Sequence, residues 1–425
     1  MAAKYTFLLF LLVLAIRSVR SEAPQQRIYN VLDFHAAGDG KKDDTQAFLA
    51  TWVAACNDNS QPIMIIPGGR TFLLSQVRFS GNCMSPIKIQ LDGNIVAPNS
   101  IWTSEEANLI TFYRVNSLTL DGNGQIDGRG DIWWTCYTQK RCVTRPIVST
   151  HNTSLSQPET SDLDTVLYVL LMLVYVYQLL AFDECNNLWV MRVHLKNSPI
   201  KHMVLYRCSQ VHVYSVSITA PGDSPNTDGI TMASSDHVYI SKCSIKTGDD
   251  CISMLSYTTD VNITDSICGP GHGISVGSLG EFEIALVERI LVSNCNFFGT
   301  TNGVRIKTWQ GGKGQATGFI FENLNMTAVQ YPIVIDQFYC PQGNCTVKYG
   351  GVAIRDAKFI NIHGTSSEQE AIKLLCSQSV PCESIYLSDI DLSWANHPTP
   401  ANATVLNAQG TIVGTVIPKV QFSQY

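Results

Sequence analysis

An all-β solenoid, a right-handed parallel β-helix, is the fold class this sequence predicts, and three observations predict it. The first is a repeat. An eight-residue unit, mostly apolar at positions one, three, six and eight, reads LWVMRVHL from Leu188, VHVYSVSI from Val211, VYISKCSI from Val238 and VNITDSIC from Val261. It continues as ILVSNCNF from Ile290 and FIFENLNM from Phe319, then more loosely as VAIRDAKF from Val352 and IYLSDIDL from Ile385. Successive starts are separated by roughly two to three dozen positions, the size of a stacking structural repeat. Units of that size cannot bury a core alone, so they must stack. The second observation is the alternation within each unit, which argues strands; the two-residue skip in its middle argues a bend between two short ones. The third is composition. Charged residues make up 15% of the 425, against roughly 25% in ordinary globular chains, while glycine and asparagine are frequent and helical heptads are absent.

Position six of the unit holds Val193, Val216, Cys243, Ser266, Cys295 and Leu324, a mixture that fits an interior ladder. Cys243 and Cys295 are therefore read as buried thiols rather than disulfide partners or nucleophiles. Ahead of the coils, Met1 to Ser21 reads as a secretory leader. Lys4 supplies its basic start, YTFLLFLLVLAI its apolar core and Val19-Arg20-Ser21 its small-residue end. That core is too short to span a bilayer. Residues 22–425 are expected to form a single β-helical domain.

Secretion agrees with the 14 cysteines, because disulfides persist in oxidising compartments. The spacings Cys136/Cys142, Cys340/Cys345 and Cys376/Cys382 suit small local loops, and Cys251/Cys268 would close a loop beside an acidic stretch. Asn262, Asn325, Asn344 and Asn402 each sit in an N-x-T acceptor sequence, and Asn152 in N-x-S. No CxxC pair or histidine cluster has zinc-ligand spacing, so no metal and no cofactor is expected. A net charge of -6 argues against nucleic acid as a partner.

One segment breaks the pattern. Between Ile147 and Ala181 a polar stretch is followed by a run, from Val166 to Ala181, that is apolar or aromatic except at Gln178. A membrane span there would put coils on opposite sides of a bilayer, which one continuous solenoid does not allow. No stable membrane association is expected, and the segment is read as foreign to the mature fold, through retained intron sequence or a misjoined gene model.

The residues that carry chemistry follow the coil spacing. Asp228 lies in SPNTDG, and Asp249 and Asp250 in TGDDC. The step from Asp228 to Asp250 is about one coil, which stacks them on neighbouring rungs. Asp249 and Asp250 can both face outward only at a bend or bulge. Carboxylates brought together raise the proton affinity of at least one, so one can serve as acid and another as base. The plainer reading is three turn aspartates. His272, in CGPGHGISVGSLG, stands one further coil beyond Asp250, among glycines that leave room for a ligand. A phosphate loop is not supported, since no Gly-Lys-Ser/Thr follows. Arg305 and Lys307, in NGVRIKTW, share one face of a strand. Two such cations repel unless an anion lies between them, which points to a sugar acid as substrate. Tyr331 falls about one coil beyond Arg305, where it could stack on or bond to a sugar ring.

Those four blocks, in that order and at those intervals, resemble the signature of the plant polygalacturonases of glycoside hydrolase family 28. The resemblance extends through FHAAGDGKKDDTQAFLATWVAAC, DGNGQIDGRGDIWW, CPQGNC and CSQSVPC, and spans nearly the whole chain except the Ile147–Ala181 segment. It implies a secreted, monomeric, cell-wall hydrolase that cleaves the α-1,4-galacturonosyl linkages of pectin by inversion without a metal. It implies Asp249 as general acid, Asp228 and Asp250 as the residues that hold and activate water, and His272 as support for the acid. Arg305 and Lys307 would grip the galacturonate carboxylate, with Asn226 and Tyr331 also binding substrate. Inverting enzymes keep acid and base roughly 6.5–9.5 Å apart. Two departures stand out: His35 replaces a usual glycine and Thr231 a common histidine, and neither is expected to touch an assigned role. The rival readings are a calcium-dependent pectate lyase and an inactive wall-binding homologue.

Overall fold

The computed structural model describes residues 26–102, 108–139, 177–341 and 343–423. They form a right-handed parallel β-helix, in which each interior strand pairs with the strand one coil before and one coil after it. Between Ile230 and Lys246 one coil can be followed. The strand Ile230–Ala233 turns at Ser234 into Asp236–Ser241, which turns at Lys242 into Ser244–Lys246. A loop then leads to Ile252–Met254, directly above Ile230–Ala233.

The skip within the repeat is a left-handed residue. Arg192, Ser215, Lys242, Asp265, Asn294 and Asn323 occupy position five on successive coils, all with φ between 52 and 63°. A single residue in that region swings the chain through a corner, so positions three and six can both point inward. The reading of position six therefore holds: Val193, Val216, Cys243, Ser266, Cys295 and Leu324 are all buried. Cys243 and Cys295 carry free thiols, as do Cys185 and Cys208.

Register confirms the repeat from Leu188 through Phe319, since Leu188, Val211, Val238, Val261, Ile290 and Phe319 are successive partners. The next unit needs correction. Phe319 pairs with Ala357 and Ala357 with Ile385, so that unit starts at Ala357 and not at Val352. The strand Ala353–Ser366 is long, and Val352, Ile354, Ala357, Phe359 and Ile362 are all fully buried. Alternation alone allowed two frames there.

The N-terminal end is closed by a helix, Thr45–Cys56, whose Phe48 and Trp52 pack on Phe72 and Phe79 of the first coils. Within the stack, Phe79, Phe112 and Phe182 sit on successive rungs with ring centroids 5.2 and 5.3 Å apart. Each is essentially buried, and burial of a side chain of this size contributes roughly 1.5–3 kcal/mol. Disulfides join Cys251–Cys268, Cys340–Cys345 and Cys376–Cys382 as expected. Cys56–Cys83, linking the capping helix to a coil, was not anticipated, because two cysteines so far apart in the chain give no local-loop signal.

The leader and the Cys136/Cys142 pairing lie outside the described residues, as does the Ile147–Ala181 segment up to residue 176. The end of that segment belongs to the fold. Leu180 and Ala181 open the strand Leu180–Asp183, paired with Ile110–Tyr113 on one side and Met203–Tyr206 on the other. An unbroken apolar run carries no mark of where coil resumes. Among the described residues no helix is long and apolar enough to cross a membrane.

Candidate active site

The site lies on an eleven-stranded sheet whose strands begin with Val77–Ser80 and end with Asn402–Leu406. The register here decides which residues meet. Met203 pairs with Ile230, Ile230 with Ile252, Ile252 with Ile274 and Ile274 with Val304. Two residues ahead of each partner come Lys201, Asp228, Asp250, His272 and Asn302, one per coil. Strand neighbours are about 4.8 Å apart, so the row climbs the stack one rung at a time. Asp249 and Asp250 lie in the loop between Lys246 and Ile252, off the strands, which allows both to face the same cleft.

Close approach of coils explains the glycines. Gly271 has φ +134°, and a Cβ there would stand 2.6 Å from the Asp249 carbonyl oxygen. Gly273 has φ +84°, with the Asn302 carbonyl 2.0 Å from a Cβ position. Any larger residue would push His272 off its rung. The Cys251–Cys268 disulfide ties the two loops that carry Asp250 and His272.

Each acid has a distinct environment. Asp250 is buried. Its Oδ1 accepts from Arg305 Nη2 at 2.9 Å and Ser275 Oγ at 2.7 Å, and its Oδ2 accepts from Lys307 Nζ at 2.9 Å. Burial alone would raise its pKa, but Lys307 and Arg305 outweigh it and hold the carboxyl well below the usual range. Asp228 is also buried, and all its side-chain partners meet at Oδ2: Lys201 Nζ at 3.0 Å, Thr231 Oγ1 at 2.9 Å and Ser253 Oγ at 2.9 Å. Burial, and then the charges of Asp249 and Asp250, push its pKa up, against the pull of Lys201. Asp249 spends Oδ1 on the ring of His272 at 2.8 Å and on the Asp250 amide at 2.8 Å. Its Oδ2 has no partner among the described residues. The bond from Asp249 to the ring raises the His272 pKa against the effect of burial.

The structure brings together Asn226, Asp228, Asp249, Asp250, His272, Arg305 and Lys307 around one cleft of about 700 Å³. It leaves Tyr331 out of that lining. Tyr331 is paired with Asn302, and Lys373 Nζ sits 3.4 Å from its ring centroid, so one face of the ring is taken. The tyrosine that lines the cleft is Tyr339, with Lys307 Nζ 5.4 Å from its ring centroid. Arg305 and Lys307 do have an anion between them, and it is Asp250. Arg305 spends Nε on Ser275 and Nη2 on Asp250, which leaves Nη1 for a ligand.

Besides Tyr339, the site includes Lys201 and Thr231, which were missed. Lys201 precedes Asp228 by one coil, the same step that pairs Met203 with Ile230, so its spacing was a usable signal. Thr231 was set aside as touching no assigned role; it donates to Asp228 and is 2.8 Å from Ser253 Oγ. His35, the other departure, has φ 71° at the end of a short 3-10 turn, the conformation glycine adopts most easily.

Asp249, Asp250 and His272 present ligand atoms within 4.8 Å of one another, close enough to hold a cation. The donor set does not fit a hard cation such as calcium. Both oxygens of Asp250 already carry a fixed cation, and imidazole is not a hard-cation ligand.

Paired carboxylates set apart in proton affinity, over a sugar-sized cleft on a parallel β-helix, define a glycoside hydrolase. The family model for glycosyl hydrolases family 28 matches residues 56–164 and 176–412, and the chain belongs to that family. The match is broken within the apolar run. A probable polygalacturonase from Arabidopsis thaliana is 37% identical over 389 residues, covering 90% of this chain and 77% of its own. A polygalacturonase from Gossypium barbadense is 37% identical over 415 residues, covering 97% and 94%. Among solved structures, an endo-xylogalacturonan hydrolase from Aspergillus tubingensis superposes with a TM-score of 0.71 at 21% identity, covering 92% of this chain and 99% of that one. An exopolygalacturonase from Thermotoga maritima gives 0.69 at 18% identity, covering 92% of both. At those identities the structures speak for the fold alone.

Proposed function

We propose that this protein hydrolyses the α-1,4-galacturonosyl linkages of polygalacturonate by single displacement with inversion, as a secreted monomer acting in the cell wall. The names of its relatives support the substrate, and its disulfides suit an oxidising compartment. The observation that carries the reading is the unequal treatment of three carboxyls in one cleft. Asp249 keeps Oδ2 toward the linkage and donates the proton to the departing oxygen, with His272 on its other oxygen. Asp228, the carboxyl pushed up in proton affinity, accepts the proton of the attacking water. Asp250 stays an anion and fixes Arg305 and Lys307, whose remaining donors meet the galacturonate carboxylate. Tyr339 packs on the sugar face in the role first given to Tyr331.

Asp249 and Asp250 come within 4.8 Å, closer than the roughly 6.5–9.5 Å of inverting pairs. Asp250, with both oxygens engaged by cations, is a poor nucleophile for a covalent intermediate. Inversion through Asp228 and Asp249 therefore remains the better reading. A calcium-dependent lyase would need the cation position that Arg305 and Lys307 occupy. The test is polygalacturonate incubated with chelator. A rise in reducing ends with no ultraviolet-absorbing unsaturated product supports the hydrolase. An unsaturated product that appears only with calcium overturns it, and binding without turnover leaves the wall-binding homologue.

A further inference from the structure

One cation of the cleft has no part in the steps above. Lys201 stands one rung before Asp228, at the opposite end of the acid cluster from Arg305 and Lys307. Its side chain is 17% exposed, and the residue lines the cleft together with Ile200 and Asn226. An ammonium carries three donors. Asp228 Oδ2 takes one at 3.0 Å and Thr231 Oγ1 a second at 3.2 Å, and the third has no partner among the described residues. Hydrogen bonding to Asp228 alone does not call for a lysine here, because the hydroxyls of Thr231 and Ser253 already donate to the same oxygen.

The substrate supplies a reason. A galacturonan has one carboxylate on every unit, so a chain crossing the acids puts a carboxylate on each side of the bond to be broken. On one side the free donors of Arg305 and Lys307 meet it. On the other side it approaches Asp228, and two carboxylates brought together repel unless a cation lies between them. Among the described residues that line the cleft, Lys201 is the one fixed cation on that side. Its unused donor is the group able to take the second carboxylate, as a charge-assisted hydrogen bond.

We propose that Lys201 forms a second carboxylate subsite, so that the protein requires a free acid on both galacturonate units that flank the cut. This rests on the hydrolase reading above. The test digests partly methyl-esterified pectin and locates, by mass spectrometry, the esters on the two units next to each cut. The wild type should leave free acids on both. Lys201→Met should admit esters on one side of the cut only, and should raise KM on polygalacturonate roughly five- to twenty-fold at the best pH of each variant. Lys201→Arg, which keeps the charge, should keep the exclusion at whatever rate it reaches. A lysine that acted only through Asp228 would change the rate and leave both flanks free of ester. That result for Lys201→Met, or a wild type that cuts beside an ester on either flank, overturns this proposal alone. A wild type that cleaves neither polygalacturonate nor pectin overturns the hydrolase reading along with it.

Discussion

Two faces of this solenoid follow the same stacking rule to opposite ends. On the face formed by Asn186–Met191, Ser209–Tyr214 and Asp236–Ser241, Trp189, His212 and Tyr239 fall on successive rungs. Their rings lie face to face, with centroids 3.9 and 4.9 Å apart. That ladder is complete in itself. On the cleft face the successive rungs hold ionisable groups, Lys201, Asp228, Asp250 and His272. Each of them is set by the rung beside it, so one aspartate is pushed up in proton affinity and another held down. Like stacked on like stabilises the rod. Ionisable groups stacked on one another hold proton affinities that differ, and that is what acid–base chemistry needs.

Substitutions on the two faces should therefore differ in kind as well as size. Asp249→Asn removes the proton donor and should lower kcat by about 10²–10⁴-fold, with the unfolding midpoint unchanged; steady-state rates and thermal denaturation on one preparation read both. The second effect lies beneath the cleft. His202 is buried, receives the Ser198 amide at Nε2 and so donates from Nδ1 to the Asp228 carbonyl, which makes it neutral. Burial pushes its pKa down to about 4. A neutral buried histidine contributes stability that is full above its unfolded pKa and is lost as pH falls from there to the folded value. The destabilisation caused by His202→Gln should therefore shrink by about 3 kcal/mol between pH 7 and pH 4, and urea unfolding at the two pH values checks it. A difference that stays constant would mean that folding leaves the His202 pKa unmoved, and one that grows toward pH 4 would mean that the fold holds the ring charged.

Lys307→Met comes next. It removes a charge-assisted bond to Asp250 and a donor to substrate, and should cost roughly 10–100-fold in kcat/KM. It should also let the Asp250 carboxyl titrate at higher pH, visible as an acid limb displaced upward in the rate profile. The smallest effect belongs to the other face. Tyr239→Ala should cost about 0.5–1.5 kcal/mol of stability and leave kcat/KM untouched. If it moved activity, the two faces would not be independent.

The parts of this design that were legible in the sequence are those that depend on counting along the chain. The steps from Asp228 to Asp250 and from Asp250 to His272 are equal and match the coil length, so the register could be anticipated. Arg305 and Lys307 needed only the two-residue period of a strand. Lys201 obeyed the same arithmetic and was missed because one lysine in SPIKHMV carries no motif. Tyr331 and Tyr339 show the limit. They stand at opposite ends of the strand Tyr331–Tyr339, and only Tyr339 lines the cleft, which the coil step from Arg305 does not reveal. Side chains that reach across rungs, such as Ser253 to Asp228, and loops that bend into the cleft, such as the one bearing Glu281, follow no period. The Val352 frame failed for a related reason: alternation persists through a long strand and does not mark its corner.

The most direct test of the unequal-carboxyl account is the anomer first released from an α-linked oligogalacturonate, followed by proton NMR before mutarotation. Water delivered by Asp228 opposite a leaving oxygen protonated by Asp249 predicts the β-anomer as the initial product. An initial α-anomer would mean that a carboxylate attacks the sugar itself, and would contradict the division of roles among Asp228, Asp249 and Asp250.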